Sequence, residues 1–207
     1  MTRDGALIVF ARQPVAGRVK TRLAASLGAK VATKVYAHLL DRAIEIATQS
    51  KFSTRYLYTS DRQEVTYFHQ RLDANEWHVR EQCVGNIGQR MSDAIGEALI
   101  EHAFVVLIGS DVADNSVEDL NAAFDALSSS ENRVVFGPSA DGGYWLIGSS
   151  KPCPEVFCNI PWSTSDVAQM TLSRLRANGV EVILTAERHD VDETSDLRFL
   201  HGWAGGS

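Results

Sequence analysis

Cysteine is scarce in this chain of 207 residues: only Cys83, Cys153 and Cys158 are present. So few, and odd in number, they build no disulfide framework, and they suit a reducing compartment. Cys153 and Cys158 could form half of a metal site, but no second Cys/His pair sits near them in sequence. They read as packed or exposed thiols. Long apolar runs are also missing. None approaches the roughly 20 residues needed to cross a bilayer. The opening Met1-Thr2-Arg3-Asp4-Gly5 leads into an apolar segment without the hydrophobic stretch of a secretion signal. Finally, positive charge is not in excess. Twenty Lys and Arg stand against 26 Asp and Glu, a net charge of −6. That argues against a nucleic-acid partner, which would call for a basic face, but not against a small anion held by a local cluster. The expectation is a soluble, cytoplasmic protein with no membrane span.

Hydrophobic residues make up 44% and charged residues 22%, as in an ordinary globular domain with a real core. Two continuous apolar runs, Ala6–Ala11 and Phe104–Ile108, read as strands buried on both faces. Helical spacing of Val31, Val35, Leu39, Ala43 and Ile46 predicts a helix over residues 29–49. Strands follow at 53–59 and 77–82, a short helix capped by Asp61 runs to about Leu72, and another helix opens at Gly85–Arg90 and runs through His102. Ser116 caps a helix to about Ser128, strands occupy 133–138 and the segment after Gly143, and a helix runs to Ala177 ahead of a strand at 180–184. This alternation predicts an α/β fold with a mostly parallel sheet and helices on both faces. Two strands between Arg133 and Ile147 with almost no helix between them predict a local antiparallel or mixed pairing near the sheet edge. One domain over residues 1–201 is expected, with 202–207 as a disordered tail.

The chemistry-bearing residues fall where strands end. Gly109-Ser110-Asp111 closes the second apolar run, and Asp111 stands at the carboxyl end of a central strand, where open α/β sheets bind ligands. The first run is followed by Arg12–Arg22, which carries Gly17 and four cations, Arg12, Arg18, Lys20 and Arg22, in eleven positions. Glycine allows close backbone approach and the cations neutralise charge, so the loop suits a phosphate group. It lacks Walker A spacing, no dinucleotide fingerprint follows the first strand, and neither Ser110 nor Ser163 sits in a nucleophile elbow. Gly85–Arg90, Asp141–Tyr144 and His189–Asp192 are further strand-end candidates. A hard divalent cation takes carboxylate and phosphate oxygens. Asp111 and Asp192 suit that role, with Lys20 and Arg22 taking the remaining phosphate charge. His189 reads as a surface histidine in a helix-entry loop, and Asp190 as a cap for the last helix.

An ordered set of motifs runs the length of the chain. It comprises Phe10-Ala11-Arg12-x-Pro14-x-x-Gly17-x-x-Lys20-Thr21-Arg22-Leu23, Gly109-Ser110-Asp111, Gly137-Pro138 with Asp141-Gly142-Gly143-Tyr144-Trp145, Ile160-Pro161-Trp162-Ser163-Thr164, and Asp190-Val191-Asp192. Together they resemble the radical-SAM/selenodomain-associated transferase 1 family, formerly a domain of unknown function, of the nucleotide-diphospho-sugar transferase superfamily. The resemblance implies a GT-A type Rossmann-like α/β/α sandwich and a Mg²⁺ or Mn²⁺ site. Asp111 then matches the metal aspartate of the superfamily and Asp192 the second one. The segment from Lys20 to Leu23 matches the basic phosphate loop, and Gly88 and Arg90 sit where relatives line the base or ribose pocket. The family's usual proline after the first aspartate is Ala113 here, and its Thr-Pro-Glu after the second is Glu193-Thr194-Ser195. The implied activity is metal-dependent transfer from a nucleotide-sugar donor, with Asp141, Gly142, Gly143, Tyr144 and Trp162 bordering the acceptor. A nucleotidyltransferase joining a nucleoside triphosphate to a phosphorylated small molecule is the alternative, favoured by the basic loop. A non-catalytic nucleotide-binding module is the third reading.

Overall fold

The computed structural model describes residues 4–200 together with 202 and 203. In chain order its elements are β1 (Gly5–Ala11), α1 (Thr21–Leu27), α2 (Ala29–Gln49), β2 (Thr54–Thr59), α3 (Arg62–Arg71), β3 (Trp77–Glu81) and α4 (Ile87–Glu101). There follow β4 (Phe104–Gly109), α5 (Val117–Ser128), β5 (Arg133–Pro138), β6 (Tyr144–Ser149), α6 (Val167–Ala177) and β7 (Glu181–Leu184). Short 3-10 helices lie at Pro154–Phe157 and Thr194–Phe199.

Among the described residues the seven strands form one sheet in the order β3-β2-β1-β4-β6-β5-β7. Every pairing is parallel except the two made by β6, which runs antiparallel to both β4 and β5. The antiparallel strand therefore lies inside the sheet, between two parallel blocks, rather than at its edge. The turn at Asp141–Gly143 sends the chain straight back, and the gap beside β4 is where the returning strand is paired on both sides.

Alternate residues of the central strands serve opposite faces, as pleating requires. Leu7, Val9, Val106 and Ile108 pack against Tyr36, Leu40, Phe68, Leu120 and Leu127 from α2, α3 and α5. Ala6, Ile8, Val105 and Leu107 pack against Met91, Ala94, Ile95 and Ala98 of α4 and Leu175 of α6. With both faces covered, β1 and β4 have no solvent-facing positions, which is why they read as unbroken apolar runs. A smaller cluster joins Leu23, Val35 and Leu39 to Ala113, Val191 and Leu200, fastening the C-terminal segment over α1 and α2. Trp203 packs on that cluster and lies 5.7 Å from the His38 ring. Of the tail expected to be disordered, residues 204–207 lie outside the described residues.

Capping follows the sequence. The side chain of Asp61 accepts two backbone N–H groups at the start of α3, and Ser116 and Asp119 form a reciprocal capping box on α5. Helix α1 has no such signal. Its N-cap is Lys20, whose side chain makes no cap bond. The three cysteines are free thiols, and no described helix is long and apolar enough to cross a membrane.

Candidate functional site

Topology places the site. The chain leaves β1 toward β2 and β3 on one side and comes back to β4 on the other, so a crevice opens beyond the carboxyl ends of β1 and β4. A cavity of about 580 Å³ fills it, with Ala11 and Arg12 on one wall, Ser110 and Asp111 on the other, and Arg18, Lys20 and Arg22 across its mouth. Tyr36 from α2 ties the two walls. Its hydroxyl accepts the Arg12 N–H at 2.8 Å and shares a hydrogen bond with Ser110 Oγ at 3.0 Å.

The second half of the site arrives from the far end of the chain. Val112 forms an antiparallel bridge with Asp190, the Ala113 N–H donates to the His189 carbonyl at 2.9 Å, and the Val191 N–H donates to the Asp111 carbonyl at 3.2 Å. This short pairing sets Asp192 on the same rim as Asp111. Lys20 Nζ lies between them, donating to Asp111 Oδ2 at 3.2 Å and to Asp192 Oδ1 at 2.8 Å. The lysine side chain is 5% exposed, whereas the two carboxylates are nearly half exposed. Burial alone would lower the lysine's pKa, but Asp111 and Asp192 outweigh it and hold it above its ordinary value. Lys20 pays for this position in backbone strain, with φ 46° and ψ 52° in the left-handed region, which costs a non-glycine residue about 1 kcal/mol or more. Arg22 reaches Asp192 only at 3.9 Å and is largely in solvent, so that contact adds little and the guanidinium is available to a ligand.

Asp190 stands behind the pair. Burial first, then the charges of Asp111 and Asp141, push its carboxyl up to about 8. Its Oδ1 is buried without a hydrogen-bond partner among the described residues.

Asp111 and Asp192 each already turn one oxygen onto a common cation, the lysine ammonium. All the donors are hard oxygens, so the set suits Mg²⁺ or Mn²⁺. Among the described residues no group of three or more His, Cys, Asp or Glu side chains is gathered to hold an ion. Two protein carboxylates would therefore need ligand or water oxygens to complete the shell.

A second cavity, of about 360 Å³, adjoins the first and shares Arg22, Ile87 and Asp192 with it. Tyr144, Trp162 and Met91 supply apolar surface, and Asp141 and Ser163–Ser165 supply polar groups. The Tyr144 and Trp162 rings meet edge to face at 6.4 Å. The Tyr144 hydroxyl donates to Met91 Sδ at 3.7 Å, and burial raises its pKa. Asp141 Oδ1 accepts the Gly143 N–H at 2.9 Å, which shapes the turn. Gly142 has φ 88°, and a Cβ there would sit 2.2 Å from the Ser165 carbonyl oxygen, so only glycine lets this turn dock on the 163–168 segment.

Of the residues singled out from sequence, Arg12, Lys20, Arg22, Arg90, Asp111 and Asp192 share the larger cavity. Asp141, Gly143, Tyr144 and Trp162 share the smaller one, with Gly142 behind the turn. Gly17 and Gly88 line neither. Gly17 makes an exposed turn at φ 81°. Gly88 lies under Trp162, where a Cβ would be 2.3 Å from Cζ2, so its work is to admit the indole. Arg90 is anchored by Nε to the Gly85 carbonyl at 2.8 Å. Sequence reasoning missed Tyr36, which carries no motif signal, and set His189 aside as a surface histidine because its partner Asp114 lies 75 positions away.

This architecture, a single α/β domain with a crevice at the β1/β4 switch point, is that of the nucleotide-diphospho-sugar transferase-like proteins. The chain belongs to the family described as an uncharacterized protein conserved in bacteria, DUF2064, which matches residues 43–164. The match includes Asp111 and the Asp141–Tyr144 turn and leaves Lys20 and Asp192 outside it. Among solved structures it is similar to a proposed nucleotide-diphospho-sugar transferase from Desulfovibrio desulfuricans G20, with 29% identity, TM-score 0.84, and coverage of 91% of this chain and 82% of that one. Two others share the fold. One is Rv0371C from Mycobacterium tuberculosis H37Rv in complex with manganese, at 17% identity and TM-score 0.54, covering 98% of this chain and 100% of that one. The other is the inositol-1-phosphate CTP transferase from T. maritima, at 15% identity and TM-score 0.58, covering 95% and 92%. No curated protein matches the sequence.

Proposed function

We propose that the protein transfers a glycosyl group from a nucleotide-sugar donor to a small-molecule acceptor. The larger cavity takes the nucleotide, whose diphosphate lies against Arg12, Arg18, Lys20 and Arg22. The observation that carries glycosyl rather than nucleotidyl transfer is the make-up of the adjoining cavity. Its only cationic side chain is Arg22, at the shared border, while Asp141 and Asp192 are acidic and Tyr144 and Trp162 are aromatic. A neutral sugar stacks and hydrogen-bonds there, whereas a phosphorylated acceptor meets the Asp141 carboxylate with Arg22 alone among the lining side chains to offset it. Mg²⁺ or Mn²⁺ held by Asp111 and Asp192 would neutralise the diphosphate leaving group. Lys20 and Arg22 supply fixed positive charge at the same place, and the walls tied by Tyr36 keep Arg12 and Asp111 in register around the ligand.

The second reading, nucleotidyl transfer from a triphosphate, draws on the five cations of the larger cavity, Arg12, Arg18, Lys20, Arg22 and Arg90. Calorimetry and product analysis with UDP-, GDP- and CDP-sugars and the matching triphosphates, each with Mn²⁺, distinguish the two. Release of a nucleoside diphosphate supports glycosyl transfer, and release of pyrophosphate supports the second reading. Binding without any turnover leaves a nucleotide-binding module. Asp111→Asn and Lys20→Ala are each expected to weaken nucleotide binding in the presence of Mn²⁺ at least tenfold. Full affinity in both variants overturns the site.

A further inference from the structure

A third cavity, of about 340 Å³, opens on the other side of Asp192 and shares Arg22, Asp141 and Asp192 with the second. His189 lines it, and His189 is held in a way no surface histidine requires. Its Nδ1 lies 2.8 Å from Asp114 Oδ2, and its backbone N–H donates to the other oxygen of the same carboxylate at 2.9 Å. Its ring stacks on Phe199 at 3.6 Å and 16°. The carboxylate can only accept, so Nδ1 carries the proton. With Nδ1 and one ring face committed, the Nε2 side of the ring is what remains to meet a ligand. Asp114 itself is mostly buried and fully used by His189.

We propose that the third cavity is the acceptor subsite and that His189, positioned by Asp114, is the general base of the transfer. This rests on the glycosyltransferase reading above. The donor's sugar occupies the aromatic cavity, and the acceptor hydroxyl approaches from the other side of Asp192. The hydroxyl proton passes to His189 Nε2 as the oxygen's electron pair forms the new bond to the anomeric carbon. The old carbon–oxygen bond breaks with its electron pair retained by the nucleoside diphosphate, and the imidazolium returns its proton to solvent. Besides His189, the cavity presents Asp141, Asp190, Asp192, Glu193 and Asp196 against Arg22 and Arg198. The acceptor class is therefore a neutral or cationic hydroxyl compound, not a phosphorylated one.

The test uses the full chain with Mn²⁺ and UDP-, GDP- and CDP-sugars. It measures donor affinity by calorimetry and nucleoside diphosphate release with water or glycerol as the acceptor. His189→Asn is the informative variant, because its amide N–H can replace Nδ1 on Asp114 while nothing replaces Nε2. We expect unchanged donor affinity and a fall in kcat of about 100-fold or more, within the usual range for loss of a general base. Added imidazole should restore part of the rate in His189→Ala. If His189→Asn keeps the wild-type kcat, the histidine is only a tie between two loops and the proposal fails while the transferase reading stands. If the wild type neither binds nor turns over any donor in the panel, the transferase reading fails and the base assignment falls with it.

Discussion

Lys20 and Cys153 are both buried titratable groups whose pKa is raised, the lysine's because Asp111 and Asp192 outweigh burial and the thiol's chiefly by burial itself. Removing the lysine charge leaves Asp111 and Asp192 facing each other. Lys20→Met should therefore lose about 1–3 kcal/mol of stability in chelator, less than a fully buried pair because both carboxylates are partly solvated. Thermal melts should show part of that loss reversed by millimolar Mn²⁺, because an ion shared by the two carboxylates relieves the same repulsion. Cys153 is pushed up from 9.0 to about 11 by burial, with the Ser149 hydroxyl opposing. The folded state thus holds its proton over a window in which the unfolded state releases it. Stability from this group is complete below about 9 and lost as pH rises toward 11. Cys153→Ala should flatten the alkaline side of a stability-versus-pH profile. At pH 8, iodoacetamide should label exposed Cys158 while sparing Cys153 until the protein unfolds.

Among elements, legibility tracked how local the cause was. The helix α5 was readable because Ser116 and Asp119 cap it through their own side chains. β1 and β4 were readable because burial on both faces leaves no polar position. α1 was not, because residues 18–22 carry three cations and the N-cap side chain is spent on distant carboxylates. The internal place of β6 depends on which strand leaves room beside β4, and no short window records that. In the site, the identity of Asp111, Asp192 and the basic loop was legible. The Lys20 bridge, the Tyr36 tie and the Asp114–His189 pair were not, since each joins residues far apart in sequence. Two element-level outcomes follow. Tyr36→Phe removes a buried hydroxyl with two partners and should cost about 1–3 kcal/mol, with weaker nucleotide binding by calorimetry. Gly142→Ala should loosen the docking of the turn on Ser165, impairing sugar or acceptor affinity (KM) more than the affinity for free nucleoside diphosphate.

For the molecule as a whole, a net charge of −6 coexists with a cavity lined by five cations. Distant repulsion is screened by salt and so is the local attraction, but the local term acts over a shorter path. Nucleotide affinity should fall as NaCl is raised from 20 to about 300 mM. An affinity that rises with salt would mean that the net charge, not the loop, governs approach.

The carboxyl-terminal segment never joins the sheet, yet it carries Asp192 and His189 to the crevice through a handful of backbone contacts with the loop after β4. A protease clipping just beyond β7 would spare every strand. What remained would hold all seven strands but neither Asp192 nor His189, nor the Val191 and Leu200 side chains that pack on α1 and α2.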